Sequence, residues 1–354
     1  MALITLRQLL DHAGENGYGM PAFNITNLET LQSVMEAANE TNSPVLLQAS
    51  STARKYIGDH FLAHMFMAAV ETYPHLPVCL HLDHGNQLST CMSAMDMGFT
   101  SVMMDGSLEA DAKTPSEYEY NVSETSSVVD VAHARGISVE GELGVLGSLE
   151  TGTGEKEDGH GFEGMLARNQ LLTDPQEALD FVKATDVDAL AVACGTSHGA
   201  YKFSRRPSGD ILAMDVIEQI HAKLPNTHLV MHGASTVPQD LQDLINQHGG
   251  DIPQTFGVPL EEVERGIKSG VRKINIDTDI RMALSGSMRE FLQNNKSSFD
   301  IRAILKPGKA RVVALCKERN ERFGCAGQAD KIKPLTLAQM ADRYAAGILT
   351  NKAA

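Results

Sequence analysis

Residues 77–85 read PVCLHLDHG. The run PVCL is short and apolar, as a strand buried on both faces is, and it ends abruptly in His81, Asp83 and His84. Side chains alternate along an extended chain, so His81 and Asp83 share one face. A buried strand with such an ending opens onto something polar at its C-terminal end.

The same form recurs along the chain. Short apolar runs that end in polar residues stand at 19–24, 43–50, 101–105, 137–143, 189–194, 228–232 and 272–277. The stretches between them carry apolar residues at helical spacing: Leu31, Val34, Met35 and Ala38 within 28–40, and Ile211, Met214, Ile217 and Ile220 within 210–223. Strand, helix, strand is the grammar of a parallel sheet. A doubly wound open sheet alternates in the same way, but about eight repeats within ~280 residues fit a closed (β/α)8 TIM barrel, whose usual size is roughly 250 residues. After Thr278 the pattern turns helical, at 280–293, 309–322 and 335–348, which suits an appended hairpin or an oligomer contact. The expected organisation is one domain over 1–354, with a barrel over about 1–285 and a C-terminal helical extension over about 286–354.

Two segments break the rhythm. Residues 149–161 are rich in glycine and charge and cannot bury much apolar area, so a mobile loop is expected after the fifth strand, although a plain solvated loop reads the same way. Residues 248–257 read as a turn-rich connection before a last short helix.

Composition excludes several classes of function. The 354 residues, 42% hydrophobic and 21% charged, can bury a large core, and 30 basic against 45 acidic side chains give a net charge of −15. That field repels nucleic acid and anionic membrane surfaces, so an anionic ligand needs a local positive site. The start of the chain has no basic region ahead of its apolar run, and no stretch is long enough to span a bilayer, so a cytoplasmic location is expected. Five cysteines without CxxC spacing indicate buried reduced thiols rather than disulfides or a zinc ribbon.

If the barrel closes, the polar strand ends share one rim, where active sites of this architecture sit. That rim collects His81, Asp83 and His84 from the third run, Glu140 and Glu142 from the fifth, and Thr196, Ser197 and His198 from the sixth. The seventh adds His232, and the eighth adds Asn275, Asp277 and Asp279. A lone histidine at a strand end is ordinarily a hydrogen-bonded structural residue; three on one rim, His84, His198 and His232, with carboxylates between them, suit Zn²⁺ with an open coordination position. Asp83 then stands either to exchange protons with whatever binds the metal or to orient a histidine from behind. His81 is a supporting partner or a packed core residue, not a ligand. Phosphate binding is the second theme, since barrels often hold phosphate after their last two strands. Gly233-Ala-Ser235, Asn275-Ile-Asp-Thr278 and 195–202 with Lys202 offer backbone N–H groups and one cation, although Gly233 also reads as a turn and Asp277 or Thr278 as a helix cap. GxxxxGK[ST] and HExxH are both absent.

HLDHG together with VEGELGVLGSLE (139–150) resembles the two signature regions of the class II, metal-dependent fructose-1,6-bisphosphate aldolases, and CGTSHGAYK (194–202), VMHGAS (230–235) and KINIDTD (273–279) match that family in the same order. The resemblance covers nearly the whole chain, and length and tail look closest to bacterial carbon-fixation enzymes. It implies a (β/α)8 barrel and reversible zinc-dependent cleavage of fructose 1,6-bisphosphate to dihydroxyacetone phosphate and glyceraldehyde 3-phosphate, in glycolysis, gluconeogenesis or the Calvin cycle. By the same resemblance His84, His198 and His232 are zinc ligands, and Glu142 is either an alternative ligand, at a second metal position, or a group that orients a ligand from behind. Asp83 is the acid/base at the C4 hydroxyl, and Glu150 exchanges the proton at the enediolate carbon. Gly199, Lys202, Gly233, Ser235, Asn275, Asp277 and Thr278 match positions around dihydroxyacetone phosphate, and Asn24, Gln48 and Ser50 match substrate-side positions. Arg302 looks like the arginine that reaches the far phosphate in a neighbouring subunit, with Ile301 where the family has proline. A Na⁺ or K⁺ ion near Ser235 and a homodimer or homotetramer are also implied.

The chemistry needs an electron sink beside the ketone, which a metal supplies. A Schiff-base aldolase would need a desolvated lysine in the barrel, for which only Lys273 is placed. A barrel zinc hydrolase and a non-catalytic sugar-phosphate binder are the alternatives of other classes. Sedoheptulose 1,7-bisphosphate presents the same ketose end and tagatose 1,6-bisphosphate differs at C4 alone, so both stand as alternative substrates.

Overall fold

The computed structural model describes residues 3–150, 153–154, 161–166, 171–207 and 212–350. Its strands are β1 (Met20–Asn24), β2 (Val45–Ser50), β3 (Val78–Gly85), β4 (Ser101–Met104), β5 (Ser138–Leu143), β6 (Thr153–Gly154), β7 (Gly164–Met165), β8 (Ala189–Val192), β9 (His228–Met231) and β10 (Val271–Ile276). All but β6 and β7 form one closed parallel barrel in the order β1-β10-β9-β8-β5-β4-β3-β2. The expected TIM barrel is therefore the observed fold, and each of the eight apolar runs is one of its strands. The short pair β6–β7 is antiparallel and lies in the segment expected to be an irregular loop; residues 151–152 and 155–160 of that segment lie outside the described residues.

The helices are α1 (Leu6–Asn16), α2 (Leu28–Thr41), α3 (Ser51–Ile57), α4 (Asp59–Thr72), α5 (Leu88–Asp96), α6 (Tyr118–Ala134), α7 (Pro175–Thr185), α8 (Met214–Lys223), α9 (Gln239–Gln247), α10 (Leu260–Lys268), α11 (Thr278–Asn294), α12 (Ile301–Arg322) and α13 (Leu337–Ala345). Helix α2 starts where the sequence supplies a capping box, with Asn27 accepting from the Thr30 N–H and the Thr30 hydroxyl accepting from the Asn27 N–H. Helix α8 begins at Met214, and Ile211 of the expected helix lies outside the described residues. Helix α12 begins at Ile301 rather than at 309, because Pro307-Gly308 does not end it. A Cβ at Gly308 would lie 2.6 Å from Leu284 Cδ1, so the glycine permits a close crossing with α11 that offsets the lost backbone bond.

The period-2 pattern separates two apolar layers. Outward residues such as Leu47, Leu80, Leu82, Val102 and Ile274 pack beneath the helices. Inward residues Met20, Leu46, Cys79, Met103, Ala189 and Val230 fill the lower lumen together with Leu6, Leu9 and Leu10 of α1, a helix that plugs this end and that periodicity did not reveal. Further up the same inward rows stand His81, Glu140 and Lys273, all fully buried, and the rows end at the C-terminal rim. All five cysteines are buried free thiols.

Candidate active site

The inward rows deliver Asn24, Ser50, Asp83, His84, His198, Lys202, Gly233, Ser235, Asn275 and Asp277 to one cleft at the C-terminal rim. Strict alternation would send Asp83 and His84 to opposite faces. The ladder between β3 and β4 slips between Leu82 and Gly85, and His84 takes φ 52°, a left-handed conformation that turns its ring back into the cleft. A non-glycine residue there is uncommon and concentrates at functional sites. Thus both polar residues of HLDHG serve the same cavity.

His84, His198 and His232 converge. Their ring centroids lie 5.0, 4.8 and 5.9 Å apart pairwise, and one nitrogen from each lies within 4.8 Å of the others. Asp105 Oδ2 accepts from His84 Nδ1 at 3.0 Å and Glu140 Oε1 from His232 Nε2 at 3.0 Å. These carboxylates fix the tautomers, so the remaining lone pairs, His84 Nε2 and His232 Nδ1, point at each other across 3.1 Å. Two lone pairs at that distance need a positive charge between them, either a proton shared by the two rings or a metal ion. Nitrogens on a tetrahedral ion at ~2.0–2.1 Å stand about 3.3 Å apart, so the residues present fit a divalent metal.

The electrostatics agree. Burial, with the charge of His84 and His232, holds His198 well below the usual imidazole range. Burial likewise lowers His232, against its bond to Glu140. For His84 burial is outweighed by the Asp105 hydrogen bond and by Asp83 and Glu142, which raise it to about 10. Glu142 lies 3.6 Å from His84 Nδ1. Burial and the adjacent Asp105 push its carboxyl well up, and its buried Oε2 has no hydrogen-bond partner among the described residues. His84, Asp105 and Glu142 therefore form a second group whose donor atoms could hold an ion.

Asp83 sits beside this centre, held by amides. Asn24 Nδ2 donates to its Oδ2 at 2.9 Å, Asn275 Nδ2 to Oδ1 at 3.3 Å, and Gln48 Nε2 bridges Asn24 Oδ1 at 2.6 Å and Asp83 Oδ2 at 3.4 Å. Burial opposes its charge, but His84, Lys273 and His232 overcome that cost and hold the carboxyl far below its usual range. It is an ionised base whose orientation is fixed.

Beneath the site lies a closed charge network. Lys273 Nζ reaches the two oxygens of Glu140 at 3.2 and 3.0 Å, and His81 Nε2 is 3.4 Å from Glu140 Oε2 while its Nδ1 meets Ser101 Oγ at 2.9 Å. Burial opposes ionisation of Glu140, yet Lys273 and His232 lower it to about 2; burial and Lys273 hold His81 neutral, at about 3. His81 is thus a supporting residue, two steps from the three rings.

The half of the cleft that the sequence reading assigned to phosphate is built from tight backbone. Gly233 takes φ 62°, and a Cβ there would lie 2.4 Å from the Ser197 carbonyl, so the β9 loop and the 195–202 loop touch at a glycine. Lys202 is buried and its ammonium donates to Ser197 O; Gly199 also takes a left-handed φ of 73°. Asp277 stands at the N-cap of α11 without capping it; Arg281 clamps its carboxylate at 2.7 and 2.6 Å instead. Thr278 is the first residue of α11.

Gly199 and Thr278 do not line the cleft, and Glu150 and Arg302 are held away from it. Glu150 is tied to Ser204 by its N–H at 3.1 Å and its hydroxyl at 2.7 Å, with Arg205 at 3.6 Å. Arg302 is 88% exposed, paired with Asp300, beside a groove formed with Glu29, Glu36, Leu305 and Lys306. Conversely, Asp105 and Arg281 escaped the sequence reading. Asp105 ends the fourth apolar run, so the rule that picked the other rim residues covers it; Arg281 follows from the one-turn spacing to Asp277.

The comparisons with known proteins agree with this geometry. The family model described as "Fructose-bisphosphate aldolase class-II" matches residues 4–328. The chain is 63% identical over 349 residues to a fructose-bisphosphate aldolase of Nostoc commune, covering 99% of this chain and 97% of that one. It is also 63% identical over 354 residues to fructose-bisphosphate aldolase 2 of Cereibacter sphaeroides, covering 100% of both. Among solved structures, the YdjI aldolase of Escherichia coli K12 is 26% identical with TM-score 0.68, covering 92% of this chain and 99% of that one. With a rim that gathers three imidazoles and an ionised aspartate, and with relatives of this likeness along its whole length, the chain belongs to the class II fructose-bisphosphate aldolases.

Proposed function

We propose that His84, His198 and His232 hold a catalytic Zn²⁺ ion and that Asp83 is the proton-transfer group for reversible cleavage of fructose 1,6-bisphosphate. The observation that carries this reading is the 3.1 Å approach of the two lone-pair nitrogens beside an amide-held aspartate. Glu142, with its orphan oxygen, is the alternative ligand at a second metal position. When bound, the metal supplies Lewis acidity for the negative charge that develops next to the ketone, a contribution of several kcal/mol.

The protein's own residues do the rest. Ionised Asp83 accepts the C4 hydroxyl proton as the C3–C4 bond breaks, and returns it in the condensation direction. Asn24, Gln48 and Asn275 keep that carboxylate from rotating away, and Ser50 lies on the aldehyde side. Gly199, Lys202, Gly233, Ser235, Asp277 and Thr278 cradle the phosphate of dihydroxyacetone phosphate, with a Na⁺ or K⁺ ion near Ser235. Anchoring the phosphates at both ends lets remote binding energy align the reacting carbons. Glu150 leaves Ser204 and Arg205 to protonate the three-carbon product. Arg302 serves the far phosphate of a neighbouring subunit in a homodimer or homotetramer; its exposure on the first turn of α12 supports that use.

The barrel, about residues 1–285, and the extension, about 286–354, act as one domain. No helix among the described residues is long and apolar enough to cross a membrane, and a cytoplasmic location fits.

The test is metal content by mass spectrometry in His232→Ala. Loss of stoichiometric zinc together with activity is expected; a variant that keeps its zinc removes His232 from the ligand set.

A further inference from the structure

Arg319, on helix α12 of the extension, is 1% exposed. Its NH2 group donates to Asp279 Oδ2 at 3.1 Å and to Thr236 Oγ1 at 2.8 Å. Asp279, fully buried in the first turn of α11, accepts in turn from the Thr236 N–H at 3.1 Å, the Thr236 hydroxyl at 2.9 Å and the Val237 N–H at 2.9 Å. The Thr236 hydroxyl therefore receives from the arginine and gives to the aspartate. These bonds seize the stretch 233–237, whose cavity-facing members are Gly233 and Ser235.

That stretch needs holding. Val237 takes φ 47°, which a β-branched residue adopts only when its surroundings over-determine it. From the other side the Ser235 carbonyl is fixed by the Val258 N–H at 3.2 Å, with Gly257 so close that a Cβ would lie 2.4 Å away. Nor does local packing account for the arginine. A buried guanidinium is costly to desolvate, and its Nε has no hydrogen-bond partner among the described residues.

We propose that Arg319 is a positioning residue for the phosphate end of the active site. Through Thr236 and Asp279 it holds the loop after β9 in the strained form that aims Ser235 and the Gly233 backbone into the cleft. The helical extension is thereby part of the substrate site without touching substrate. This rests on the reading that the β9 loop cradles the phosphate of dihydroxyacetone phosphate.

The condensation direction tests it, because the two triose phosphates are varied separately. Arg319→Lys keeps the charge but loses the fixed planar geometry with which one NH2 group meets both Asp279 and Thr236. Its KM for dihydroxyacetone phosphate rises roughly tenfold while kcat and the KM for glyceraldehyde 3-phosphate stay within about twofold, at unchanged metal content. Thr236→Val, which deletes only the bridging hydroxyl, gives the same split more weakly and replaces the first variant if that does not fold. Unchanged KM values, or a uniform fall that tracks the fraction folded, overturn the proposal. Ser235→Ala separates the underlying reading: if it leaves the KM for dihydroxyacetone phosphate unchanged, the loop does not hold that phosphate, whatever Arg319 does.

Discussion

His84 Nε2 and His232 Nδ1 face each other at 3.1 Å, each ring pinned from behind by a carboxylate, Asp105 for the first and Glu140 for the second. Carboxylate support of this kind orients metal-ligating imidazoles, and it gives the site a definite proton inventory.

Zinc binding should release protons. Without metal, His84 is raised to about 10, so at any lower pH it carries the proton shared with His232. A ligand must be neutral, so that proton leaves as the metal enters, and zinc affinity should strengthen as pH rises from 6 to 9. Calorimetry in buffers of differing ionisation enthalpy should report about one proton released per zinc, or more if Glu142 ligates. Zinc uptake without proton release would mean that His84 is not a ligand.

Asp83→Ala should retain zinc, because the three imidazoles remain, and lose roughly 10²- to 10⁴-fold in kcat as a general acid/base does. Steady-state rates with measured metal content decide it. Turnover near that of the parent would reduce Asp83 to an orienting group.

Lys273 should form no imine. It is fully buried, and its Nζ is held by both oxygens of Glu140 at 3.0 and 3.2 Å, whereas Schiff-base chemistry needs an amine free to reach the ketone. Borohydride with fructose 1,6-bisphosphate should leave activity and protein mass unchanged. A lysine adduct in the mass spectrum would replace the metal mechanism.

Far from the site, Asp188 ties the extension to the closed end of the barrel. Tyr344 Oη donates to its Oδ1 at 2.7 Å, and the Val139 N–H and His133 Nε2 meet its Oδ2 at 2.8 and 3.0 Å. Burial opposes its charge, but His133 and Arg7 outweigh that and lower its pKa. A depressed folded-state value stabilises above the unfolded pKa, and that contribution is lost as pH falls through the depressed value. Asp188→Asn should therefore cost about 3–5 kcal/mol at neutral pH in urea unfolding, with the gap to the parent narrowing in acid. A gap that widens in acid would contradict this sign.

Most of the architecture was legible because a barrel strand is written twice in the sequence, as an apolar run and as a polar ending. HLDHG was the clearest case, and it supplied His84, Asp83 and the supporting His81 together. Periodicity missed α1 because its inward face, Leu6, Leu9 and Leu10, plugs the lumen rather than covering a strand. It began α12 too late to include 301–308, since Pro307-Gly308 reads as a break until Leu284 is seen packed against the glycine. The turn at His84 was hidden as well: no residue type announces φ 52° in a histidine. Glu150 and Arg302 came from family likeness alone, and the structure leaves both outside the cleft.

The most direct measurement is a coupled assay of triose phosphate release from fructose 1,6-bisphosphate, run as purified, after chelation with EDTA, and after Zn²⁺ is restored. Activity should vanish with chelation and return with zinc, in proportion to metal bound at the three histidines. Activity indifferent to complete removal of metal would contradict the account.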